Sequence, residues 1–108
     1  FVIAGNVSDE VTQAHVLGYT ASVYADVEQY ENSIVTATKA LALAEKLEDH
    51  RLKAEQQVLL AFNHRDMDRI ETAIQYCSAA LGSFKAIEDQ TMIERTQLLL
   101  KELEMVDR

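Results

Sequence analysis

The residues of this 108-residue chain whose types could do chemistry are few and scattered. His64-Arg65-Asp66 matches the opening of a phosphoryl-transfer catalytic loop. That loop needs an Asn five residues after the Asp, where Glu71 stands, as well as a glycine-rich phosphate loop and a metal-binding Asp-Phe-Gly, and the sequence contains neither. His15, His50 and His64 are not paired at i,i+4, so no helix face offers two imidazoles to a metal. Cys77, the one cysteine, has no partner for an internal disulfide and falls on an apolar helical stripe, where a packed thiol is expected rather than a reactive one. Asn6-Val7-Ser8 has the form of a glycosylation acceptor, with no other mark of secretion beside it. No residue is assigned to catalysis, and no metal or cofactor is expected. Phe62 and Leu59 stay open: they either fill a gap in a core or floor a binding surface.

These residues are positioned by a repeat. Asp26–Leu41 reads DVEQYENSIVTATKAL and Asp66–Leu81 reads DMDRIETAIQYCSAAL. Laying residues 11–50 on 51–90 without a gap gives nine identities, among them Ala21/Ala61, Ile34/Ile74, Leu41/Leu81 and Asp49/Asp89. A period of about forty residues with two amphipathic helices per unit is the signature of stacked helix pairs, each burying its apolar face only against its neighbours. The absence of Pro and the presence of only three Gly agree with an all-α fold. The expectation is one domain over 1–108, with units 11–50 and 51–90, a further helix over 91–106, and about five helices plus an N-terminal remnant.

The spacing predicts a first helix from Ser8 or Asp9, either of which would cap it, to Ala25. A second runs from about Tyr30 with Ile34, Ala37, Ala40, Leu41 and Ala44 on its core face. A third, over about Arg51–Arg65, follows a cap at Asp49 or His50. The fourth, about Asp68–Ile87, has Gly82 inside it, expected to admit a neighbouring helix closely. The fifth carries Met92, Thr96, Leu99, Leu103 and Val106 at the 4-3 spacing of a connecting coiled coil. Phe1–Glu10 aligns with Leu41–His50 and reads as the tail of an earlier repeat. The apolar ends at Phe1–Val7 and Leu98–Val106 are expected to lack the polar outer faces of caps, and the chain, which begins without Met, to be part of a longer protein.

These residues resemble the tetratricopeptide repeat in its longer, forty-residue form, over about 8–106. The family's small residue falls on Ala21 and Ala61, its aromatic on Tyr24 but His64, its turn tyrosine on Tyr30 but Ile70, and its helix pairs on Ser33-Ile34 with Ala40-Leu41 and Ala73-Ile74 with Ala80-Leu81. Glu28 and Asp68 stand where the family has a turn glycine. The resemblance implies a right-handed α-solenoid whose first helices line a groove for a peptide or a partner helix. Carried over by position, the groove holds His15, Gly18, Tyr19, Ser22 and Ala25, then Glu55, Val58, Leu59, Phe62 and Arg65, then Arg95, Leu98, Leu99 and Glu102. The Lys and Asn with which some members clamp a C-terminal carboxylate are missing, since Gly18, Val58 and Leu98, then Ser22, Phe62 and Glu102 occupy those places.

The formal net charge of −8 argues against nucleic acid or an anionic membrane surface, because no basic patch offsets it. Eight acids and two bases fall in residues 1–50, ten acids and eight bases in 51–108. The lone cysteine fits a reducing, cytoplasmic compartment, and no apolar run reaches the length of a membrane span. The expected function is therefore a non-catalytic protein–protein interaction module. Val58, Phe62 and Arg65 would share a face suited to an amphipathic peptide with an acidic group beside its anchor. The alternative is a sensor segment of a signalling or transcription regulator that couples ligand binding to an effector beyond the last helix. Self-association through exposed repeat ends is the third expectation.

Overall fold

The computed structural model describes residues 7–106. The acceptor triplet at Asn6 and most of the expected N-terminal remnant lie outside the described residues. Five helices follow one another: α1 (Val7–Asp26), α2 (Tyr30–Lys46), α3 (His50–Asp66), α4 (Ile70–Ala86) and α5 (Gln90–Val106), with no strand among the described residues. The starts of α2, α3, α4 and α5 are spaced by twenty residues. Each packs on its predecessor, and α1 also touches α3.

That regularity comes from four turns of one design. Glu28, Glu48, Asp68 and Glu88 all adopt positive φ, between 56° and 62°. The amide that follows each bonds five residues back, from Gln29 to the Tyr24 carbonyl, Asp49 to Ala44, Arg69 to His64 and Asp89 to Phe84, at 2.7–3.1 Å. This is a Schellman stop with an acid at the left-handed position that glycine ordinarily takes. The starts differ. Asp49 and Asp89 accept the amides of Leu52 and Met92 at 3.0 and 3.1 Å, whereas Gln29 and Arg69 give no side-chain cap. Only the odd-numbered helices after a turn are therefore capped by a carboxylate. His50 lies inside α3, and α1 runs back through Ser8 and Asp9 to Val7, so the tail-and-turn reading of residues 7–10 gives way to continuous helix.

The expected small positions lie in the core. Ala21 packs with Ala37 and Leu60, and Ala61 with Ala73 and Cys77; all are fully buried. Burial also raises the Cys77 thiol to about 11, helped by Glu104, so the sulfur stays protonated while donating to the Thr96 carbonyl at 3.5 Å. Thr96, Leu99 and Leu103 of the 4-3 stripe are buried, with Leu99 and Leu103 in the α3–α4 core. That stripe serves the domain's own core rather than standing free as a coiled-coil seam, and Val106 at its end is exposed.

One further expectation is corrected. Gly82 is exposed, and a methyl group built there meets nothing within 4 Å; the glycine that admits a neighbour is Gly18, where a Cβ would stand 2.8 Å from Gln56 Nε2 and 3.2 Å from Leu52 Cδ1. The two ends of the stack are also unlike. On α5 the positions equivalent to the buried Ala14/Ala54 and Ala21/Ala61 are Glu94 and Lys101, both exposed, and Leu98 and Met105, each exposed at 64%, share their stripe, so that face mixes charged and apolar side chains. On α1 the equivalents of the buried Gln56 and Asn63 are Val16 and Val23, exposed at 57% and 41%. Both ends therefore expose apolar side chains, the C-terminal one with charges between them.

Candidate functional site

Because the repeat shifts by forty residues, successive odd helices meet along one side and form two clefts from equivalent positions. The α1/α3 cleft, about 340 Å³, is lined by Gly18 and Ser22 from α1 and by Leu52, Glu55 and Gln56 from α3, with His15 and Tyr19 at its edge. The α3/α5 cleft, about 150 Å³, is lined by Val58 and Phe62 from α3 and by Met92, Arg95, Thr96 and Leu99 from α5. Position by position, Gly18 becomes Val58, Ser22 becomes Phe62, Leu52 becomes Met92, Glu55 becomes Arg95 and Gln56 becomes Thr96. One architecture thus holds a polar, acidic cleft and a smaller apolar, basic one.

In the first cleft, His15 Nε2 faces Asp49 Oδ2 at 3.3 Å, and the same carboxylate caps α3. The Ser22 hydroxyl donates to the Gly18 carbonyl at 3.3 Å. Tyr19 is 74% exposed. Glu55 is exposed and takes part in no ion pair or hydrogen bond among the described residues. Gln56 is 4% exposed, yet its Oε1 has no donor. In the second cleft Phe62 is 37% exposed, and the Arg65 guanidinium lies 4.8 Å over its ring while Nε donates to Asp66 at 3.1 Å. Arg65 is therefore held by its own helix, a cation–π contact that covers one face of Phe62. Arg95, not Arg65, is the cation that lines the cleft.

Of the groove residues read from the sequence, His15, Gly18, Tyr19, Ser22 and Glu55 come together in one cleft and Val58, Phe62, Arg95 and Leu99 in the other. Leu59 does not join them: it is half-buried against the Ala21, Ala37 and Leu60 cluster, which settles it as core. Leu98 and Glu102 are exposed and line neither cleft. They are the counterparts of Val58 and Phe62, which face α5, and among the described residues there is no further odd helix for them to face. Ala25 is half-buried outside both clefts. Leu52, Gln56, Met92 and Thr96, on the far wall of each cleft, were not anticipated. Their signal was the same forty-residue shift, applied to the helix that follows.

The other imidazoles and carboxylates stand apart. His64 is buried, stacked on Tyr76 at 5.5 Å, with Nδ1 lacking a partner; burial, and then the nearby Arg69 charge, push its pKa below the ordinary histidine value. Asp89 is held below the usual carboxylate range by the Arg51 guanidinium at 2.9 Å and the Met92 amide. Among the described residues no three His, Cys, Asp or Glu side chains converge as metal ligands, and no helix is long and apolar enough to cross a membrane. The chain matches no family model and no curated protein.

Proposed function

We propose that this chain is a non-catalytic protein–protein interaction module, a right-handed tetratricopeptide-like solenoid whose two clefts together form a groove for an amphipathic peptide or partner helix. The observation that carries this reading is the pair of consecutive clefts on one side, one of them floored by a part-exposed aromatic that the helix's own arginine holds in place. Preformed apolar grooves with a few oriented charges suit an i, i+4, i+7 anchor pattern on a partner. Val58, Phe62 and Met92 would take the apolar anchor, and Arg95 an acidic group beside it. The sensor alternative would need the α5 stripe free, and its core residues are engaged within the domain. Self-association would use the exposed apolar side chains at the two ends, Val16 and Val23 on α1 and Leu98 and Met105 on α5.

The test is selection of phage-displayed twelve-residue peptides on the 108-residue chain, followed by titration of the best binder. Phe62→Ala with Arg95→Glu should leave helicity by circular dichroism intact and weaken that binder by about 2 kcal/mol, roughly thirtyfold, as loss of a central anchor does. Gln75→Ala with Lys85→Ala, on exposed positions of α4, should change little. If only the α4 pair abolishes binding, the partner uses the opposite face. If no peptide is enriched, the groove reading fails.

A further inference from the structure

Resting on that groove reading, we infer that the α1/α3 cleft is a receptor for a guanidinium group, an arginine side chain of the bound peptide. Three groups in this cleft can accept a hydrogen bond from a ligand. Glu55 offers an unpaired carboxylate where the second cleft has Arg95. Gln56, more than nine-tenths buried in the cleft wall, carries an Oε1 without a donor. Ser22 has its proton committed to the Gly18 carbonyl, so its oxygen is left to accept. A buried amide oxygen without a donor is unfavourable, and a ligand that brings one removes that penalty.

Gly18 lets α3 approach closely here, since any Cβ at 18 would stand 2.8 Å from Gln56 Nε2, whereas its counterpart in the second cleft is Val58. Tyr19, 74% exposed at the rim, presents an aromatic face on which a planar cation can stack. A guanidinium meets these demands together: it is planar, always charged, has five N–H donors in a fixed fork and stacks on rings, whereas an ammonium is a point charge with three donors. The nearest imidazole, His15, is occupied by Asp49 at 3.3 Å. The excess of acids in the first half of the chain, eight against two bases, favours a cation there over an anion.

The experiment is a ¹⁵N–¹H correlation titration of the 108-residue chain with N-acetyl-arginine methylamide, its lysine and citrulline counterparts, and N-acetyl-phenylalanine methylamide. The arginine compound should shift amides of residues 15–22 and 52–56 and bind about tenfold more tightly than citrulline, which keeps the shape but not the charge, and more tightly than lysine. Glu55→Gln and Gln56→Met should each weaken it about fivefold or more with the spectrum otherwise unchanged. Glu55 is exposed, so that variant remains informative if Gln56→Met perturbs folding. Equal binding of citrulline, indifference to Glu55→Gln, or shifts confined to the acidic residues of α5 would overturn the proposal. The phenylalanine compound reports on the groove separately. If it shifts residues 58–62 and 92–99 while arginine does nothing, the guanidinium site is wrong and the groove stands; if neither shifts its cleft, both are wrong.

Discussion

The two places where an odd helix is laid onto the preceding pair are related by forty residues, and their interiors are built from opposite materials. At the first, buried Ser33 donates to the Ala21 carbonyl at 2.7 Å and accepts from the Nδ2 of buried Asn63 at 2.8 Å, tying α1, α2 and α3 through one hydroxyl. At the second, the same two positions are Ala73 and Leu103, and they sit in an apolar cluster with Ala61, Cys77 and Leu99. Both junctions exclude water. The polar one fixes register by hydrogen-bond direction and leaves Asn63 Oδ1 without a donor; the apolar one has a single weak directional bond, from the Cys77 thiol to the Thr96 carbonyl. A buried polar network contributes specificity only while all its members are satisfied, so the first junction should be the more sensitive to the loss of a single partner.

Exchanging the materials gives the largest effects. Leu103→Asn places an amide opposite Ala73, which has nothing to offer it, and should lower stability by about 2–5 kcal/mol through lost burial and an unpaired polar group. Ser33→Ala strands the Asn63 amide and should cost about 1–3 kcal/mol. Ser33→Ala with Asn63→Leu, which copies the second junction into the first, should recover most of that loss. Urea midpoints of the three variants decide it, and a double variant weaker than the sum of its parts would show that the junctions are not equivalent.

A smaller effect separates the two even-numbered helices at positions 42 and 82. Ala42 and Gly82 are equivalent and both exposed, and nothing obstructs a Cβ at 82. Gly82→Ala should therefore stabilise the domain by about 0.5–1 kcal/mol, read as a raised melting temperature. A loss of stability there would mean that Gly82 is needed for an approach made only with a partner.

The smallest effect is a slope. His64 replaces Tyr24 of the first repeat, and its folded pKa lies below the unfolded value of 6.5. The unfolded chain therefore binds more protons as pH falls below about 6.5, and stability present above that pH is lost on acidification. His64→Phe should keep the stack on Tyr76 and flatten stability between about pH 7.5 and 5.5 relative to the native chain. Parallel slopes for the two would assign the acid sensitivity to other groups.

The all-helical fold was legible because two signals agree. Apolar positions recur with helical period, and the acid pair Glu48-Asp49 returns as Glu88-Asp89, where one residue takes the left-handed turn and the next caps the helix. What escaped were the buried polar side chains. Asn63, Gln56 and Gln57 look like solvated positions to any reading that follows apolar periodicity, yet Gln57 is 8% exposed and accepts from Ser83 at 2.6 Å. In the clefts, position-by-position transfer found the near wall and only part of the far one, Glu55, Arg95 and Leu99, because each cleft takes its second wall from the following repeat. The charged positions of α5 were readable too, since carrying the forty-residue shift once more puts Glu94 on Ala54 and Lys101 on Ala61.

The uniform turns also make the chain indifferent to its own length. Since Tyr30 and Ile70 begin equivalent helices and each is followed by Glu, removing residues 31–70 would join Tyr30 to Glu71 without changing helical phase, and Ala73 would still meet Leu103. The shortened molecule would place Gly18 and Ser22 opposite Met92, Arg95 and Thr96, a hybrid cleft of new polarity made without altering a single retained side chain. Duplication or excision of whole forty-residue modules would thus exchange the walls of the clefts while the scaffold keeps its phase.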